Sequence, residues 1–118
     1  MLMLAKVLIG LVAVLHLYFL TLEMFLWRTR AVKIFRMTQE YANTTAQLAG
    51  NQGLYNGFLS AGLVWALLSA PDQLQPRAAF FLICVIVAGA YGAYSVNKRI
   101  FFIQALPALL ALGALFLG

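Results

Sequence analysis

Glu23 and His16 are the ionisable side chains deep in the first apolar run, and their spacing of seven residues leaves them only about 20° apart around an α-helix. A carboxylate and an imidazole on one face could work as general acid and base, or hold the polar end of a bound molecule. A charge in the middle of a membrane span costs at least about 2.5–3.5 kcal/mol, so such groups turn toward a partner or a watery cavity. A plainer account stands beside this one, in which Glu23 reaches toward a basic headgroup layer and His16 hydrogen-bonds a neighbouring helix. Further along, Asn51 and Tyr55, like Gln52 and Asn56, stand at i, i+4 spacing. Tyr91, Tyr94 and Lys98 follow at i, i+3 and i+7, and Gln104 lies about one turn from Arg99. Each amide taken singly serves equally well as a hydrogen bond between helices. Their convergence on one depth is what points to a ligand-binding set of His16, Glu23, Asn51, Gln52, Asn56, Tyr91, Tyr94, Lys98 and Gln104.

Motifs that would dictate one reaction are absent. There is no Ser-His-Asp set, no HExxH and no Gly-rich phosphate loop, and a single histidine argues against a metal site. No cofactor is indicated. Cys84 lies inside an apolar run and reads as a small hydrophobe, with no second cysteine for a disulfide.

These side chains must be carried by helices in lipid. Of 118 residues, 64% are hydrophobic and 9% charged, too few polar groups to clothe the core of a water-soluble domain. The pattern predicts an all-α, integral membrane four-helix up-down bundle forming a single domain over 1–118, with spans at about 3–27, 45–69, 78–96 and 100–117. The first run is read as a span rather than a signal peptide, because no small-residue cleavage site follows and its apolar character continues to Trp27. Residues 28–43 mix cations with Val32, Ile34, Phe35 and Met37, which suits a segment lying in the membrane surface. Thr44 and Gln47 have capping-box spacing for the start of the second helix. Pro107 is expected to kink the last one.

The net charge of +5 could suggest nucleic acid, but the cations lie between apolar runs, as juxtamembrane clusters do, so no nucleic-acid partner is expected. Arg28, Arg30, Lys33, Arg36, Lys98 and Arg99 fall on one side of the spans and only Lys6 and Arg77 on the other. The positive-inside rule then puts both termini outside, in a bacterial inner membrane. Gly53 with Gly57, and Gly89 with Gly92, form thin helix faces that predict close packing and a homo-oligomer, a dimer or trimer.

The strings HLYFLTLEMFLW, NQGLYNGFLSAGL, VAGAYGAYSVNKR and QALPALLAL resemble a bacterial and fungal family of small four-helix membrane proteins catalogued as a domain of unknown function. The resemblance covers nearly the whole chain and is specific in His16, Glu23, Asn51, Gln52, Asn56, Tyr91 and Gln104, similar to that family's polar positions. It implies the fold and leaves the activity open. Size and helix count are loosely similar to those of membrane-associated eicosanoid and glutathione enzymes, which are helical trimers, but their Arg-rich glutathione-binding pattern is not matched. The residues favour a cytoplasmic-leaflet pocket for a small amphipathic or lipid-like molecule, catalytic or not, with membrane lipid as the surrounding partner. The alternative is an oligomeric transport or permeation protein with Glu23 and His16 on the route, disfavoured because the outer half of each span is nearly all apolar.

Overall fold

Helices form along the apolar runs, but each begins and ends where its terminal backbone groups find partners, not where polarity changes. The computed structural model describes residues 1–117. In chain order the elements are α1 (Leu2–Met24), α2 (Arg30–Ile34), α3 (Gln39–Leu67), α4 (Pro71–Ser95), a π turn (Phe101–Ala105) and α5 (Leu106–Leu117). The architecture is all-α with about four main helices, and no strand occurs among the described residues. Two helices, α1 and α4, are long and apolar enough to cross a membrane. The stretch Phe101–Leu117 is apolar but shorter, and α3 carries a polar first half.

Several expected boundaries move. α1 stops at Met24, short of Trp27, because the Thr21 carbonyl accepts from both Phe25 N–H (3.0 Å) and Leu26 N–H (3.1 Å), which winds the last turn wide. Of the segment 28–43, only Arg30–Ile34 forms a separate helix, closed when Met37 N–H reaches back to the Val32 carbonyl (3.1 Å). That closure needs a left-handed residue just beyond the helix, and Arg36 supplies it at φ 53°.

The capping box at Thr44 and Gln47 is not used. Thr38 Oγ1 accepts from the Tyr41 N–H (3.0 Å), so α3 starts at Gln39, and Thr44 sits inside the helix with its hydroxyl on the Glu40 carbonyl (2.9 Å). A polar first turn is no obstacle to a helix that has a cap. α4 likewise begins earlier than expected, at Pro71, whose fixed φ and missing N–H suit the first helical position. Near the C-terminus, Pro107 produces a widened turn ahead of it: Leu106 N–H bonds the Phe101 carbonyl, five residues back, within the π turn. A proline ring collides with the carbonyl four residues before it, and one wide turn removes that collision.

The described residues gather into two compact units, one built from Met1–Val14 with the chain from Leu59 onward, the other from Leu15–Phe58. In the first, Ile9, Val12, Leu63, Leu82 and Val85 are fully buried among alanines, including Ala5, Ala66, Ala78, Ala108 and Ala111. Alanine and glycine on buried faces let backbones approach, which is how helices gain contact when lipid competes for the larger side chains. Gly62 meets the Phe81 ring, Gly89 the backbone of Ala105, and Gly92 the side chain of Ile100. Ser60 donates to the Ala13 carbonyl (2.9 Å), a buried hydrogen bond between α3 and α1. In the second unit Leu22, Ala31 and Ala42 are buried, and Gly53 and Gly57 lie against Leu20.

Candidate functional site

The Leu15–Phe58 unit holds the clearest constellation. Asn56 Nδ2 donates to Glu23 Oε1 at 2.5 Å, joining α3 to the last turn of α1. Asn56 is buried and Glu23 half-buried. Gly53, one turn before Asn56, makes this approach possible: a Cβ there would lie 2.6 Å from Met24 Cγ and 3.1 Å from Glu23 Cβ. Only glycine fits at that point without displacing the acid.

The chain beyond α1 is tied over the same region. Trp27 Nε1 donates to Thr45 Oγ1 (3.0 Å), and the Thr45 hydroxyl in turn donates to the Tyr41 carbonyl (2.7 Å). Gln39 Nε2 donates to the Arg28 carbonyl (3.0 Å) and to Asn43 Oδ1 (3.1 Å). Phe35 packs on Trp27, ring centroids 5.9 Å apart. These ties fix the walls of an open cavity of about 390 Å³ lined by Glu23, Trp27, Arg28, Thr29, Ala46 and Gln47, with Met24 and Phe25 completing the apolar side. Residues bearing an acid, a guanidinium, an amide and a hydroxyl thus line one space together with two aromatic residues. Such a space can seat a polar head by hydrogen bonds and an adjoining apolar body by contact.

The other expected site residues are distributed as follows. His16 is fully buried and meets Phe19 edge-on, with centroids 5.2 Å apart. Asn51 and Gln52 are exposed on α3, whereas Asn56 is buried. Tyr91 and Tyr94 are exposed on α4, Lys98 is exposed in the turn after it, and Gln104 is half-buried in the π turn. No group of three or more His, Cys, Asp or Glu residues suited to a metal ion occurs among the described residues.

Sequence reasoning missed the Trp27–Thr45 bond, the place of Gln47 in the cavity wall and the Ser60 bond to α1. A signal for part of this was present. Ala42, Ala49, Gly53, Asn56, Ser60 and Leu63 recur at steps of seven, four and three along α3, and all are buried. That stripe of small and polar residues separates Asn56 from Asn51 and Gln52, which apolar flanks alone cannot do.

Fold and site define a small all-α protein with two helices long and apolar enough to cross a membrane and a polar cavity at the end of one of them. The chain belongs to the family described as "Protein of unknown function (DUF1304)", whose model matches residues 10–116, a span that includes every candidate residue above. It is similar to "Uncharacterized protein YpaA" of Lactococcus lactis subsp. lactis (strain IL1403), 33% identical over 105 residues that cover 86% of this chain and 87% of that one. No solved structure matches it.

Proposed function

We propose that this chain is an integral membrane protein, a single four-helix up-and-down domain, whose cavity at the end of α1 binds a small amphipathic or lipid-like molecule. Support for the membrane begins with exposure. Only 28% of the apolar window of α1, and the same share of α4, is buried, so neither behaves as the core helix of a soluble protein. Val7, Leu11, Val14 and Tyr18 form an exposed apolar face along α1, as Phe80, Ile83, Val87 and Tyr91 do along α4, and faces of that extent need lipid or a partner.

The observation that carries the binding reading is the Glu23–Asn56 hydrogen bond beside a cavity that Trp27 and Arg28 also line. The bond orients the carboxylate, Arg28 adds an opposite charge, and tryptophan with arginine at a helix end is the composition of a headgroup layer. The ligand class that fits is a molecule with a hydrogen-bonding or charged head and an apolar body. With Arg28, Arg30, Lys33 and Arg36 following α1, that headgroup layer is the cytoplasmic one under the positive-inside rule.

The permeation alternative has less support. Toward the start of α1 the buried positions Ala5, Ile9, Val12 and Ala13 are all apolar, and beyond the Ser60 hydroxyl at Ala13 they offer little to continue a route from His16. Self-association through the thin glycine faces is also weakened, since Gly53, Gly57, Gly89 and Gly92 are all in close contact within the chain. A dimer or trimer would form through other faces.

The test is mass spectrometry of the organic extract from purified protein. Wild type is expected to carry a small amphiphile that Glu23→Gln, folded by circular dichroism, has lost. Identical extracts from the two proteins would overturn the reading.

A further inference from the structure

Arg77, in the second turn of α4, is half-buried and held from two sides. Its guanidinium carbon lies 4.0 Å from the centroid of the Trp65 ring, and Nη1 donates to Ser69 Oγ at 2.7 Å. Ser69 is itself fixed by donating to the Trp65 carbonyl at 2.6 Å. Stacking sets the plane of the fork and the hydroxyl sets its rotation, so the donors left over are oriented in advance. Its partners among the described residues, Trp65 and Ser69, carry no negative charge.

An apolar groove begins one turn further along the same helix. A cavity of about 390 Å³ is lined by Phe80, Ile83, Cys84, Val87 and Ala88. Phe80, Cys84 and Ala88 stand three, seven and eleven residues after Arg77, the spacing of one helical face. From Arg77 to Val87 the helix rises about 15 Å, the reach of most of one acyl chain. Phe81 meets the Trp65 ring edge-on, with centroids 6.5 Å apart, and Phe80 meets Phe81 at 5.2 Å, so aromatic surface joins the cation to the groove.

We infer that Arg77, Trp65 and Ser69 with the Phe80–Ala88 groove form a binding site for a phospholipid, the guanidinium on the phosphate and an acyl chain along α4. A planar fork matched to phosphate oxygens, continuous with a groove too apolar for a soluble anion, selects a lipid over free phosphate. The site rests on the membrane reading of α4 and is independent of the Glu23 cavity, so either can fail alone.

The experiment uses the full chain in detergent with Trp27→Phe, which leaves Trp65 as its one tryptophan. Phosphatidylglycerol brominated on its chains is expected to quench Trp65, and diacylglycerol with the same brominated chains to need about tenfold more for the same effect. Arg77→Lys, which keeps the charge and loses the fork, should shift half-quenching by phosphatidylglycerol about tenfold upward. Ala88→Leu, on an exposed position, should weaken both lipids. Equal quenching by the two lipids in the otherwise unaltered protein would overturn the proposal without relying on a further variant. So would competition by inorganic phosphate alone at the lipid's own concentration, which would make the site one for a free anion. Native mass spectrometry of the wild type gives a second reading: a retained phosphatidylglycerol supports the site, and equal retention of diacylglycerol refutes it.

Discussion

Glu23 and Asn56 illustrate how one hydrogen bond divides a structural from a functional role. The bond joins a half-buried carboxylate to a buried amide, and hydrogen bonds to charged groups contribute about 1.5–3 kcal/mol. Asn56→Leu removes the donor and leaves the acid without its partner, so a loss of about 2 kcal/mol is expected in thermal unfolding of the detergent-solubilised protein. Glu23→Gln keeps an acceptor oxygen for the Asn56 amide, and its cost should stay under about 1 kcal/mol while the charge is gone. Glu23→Gln is therefore the variant that separates ligand binding from folding. If it destabilised the protein as much as Asn56→Leu, the carboxylate would be a packing element and its charge incidental.

At the scale of elements, close helix approach is the device that organises both units. A Cβ on Gly89 would stand 2.8 Å from the backbone nitrogen of Ala105, and a backbone atom cannot swing aside as a side-chain tip can. Gly89→Ala should cost about 1–3 kcal/mol, as overpacking does, by forcing α4 away from the π turn. Gly10, in the middle of α1, has nothing within 4 Å of the corresponding position. Gly10→Ala should therefore be neutral or stabilising by up to about 1 kcal/mol, the gain in helix propensity. Unfolding of both variants under one detergent condition checks the contrast, and equal effects would mean that α4 and the π turn do not meet as closely as described. Pro107 belongs to this scale too. Its ring decides that the turn before it is wide, and that turn carries Gln104.

For the whole molecule, the distribution of cations predicts an orientation under the membrane reading. Six lie in the stretches 28–36 and 98–99 and two, Lys6 and Arg77, elsewhere. A C-terminal alkaline phosphatase fusion should be active and a C-terminal green fluorescent protein fusion dark, with both termini outside. The reverse pattern would place the Glu23 cavity in the outer leaflet. Neither site depends on orientation for its geometry, but the lipids available to each do.

Sequence alone determined the helical class and the apolar runs that became α1 and α4. Hydrophobic run length and the cost of a charge among apolar neighbours are local quantities, legible without knowing what packs on what. It was less informative about ends and faces. Thr38 rather than Thr44 caps α3, because a cap acts through one hydrogen bond and any suitable side chain upstream can supply it. Asn56 turns inward while Asn51 and Gln52 turn outward, a choice made by the small-residue stripe through Gly53 and Ser60. Only tertiary structure could show that Gly53 yields its place to Glu23 and Met24, or that Arg77 lies on Trp65, twelve residues earlier in the chain. Those are contacts between helices, and their existence depends on the rotation of each helix about its own axis, which packing decides and composition does not.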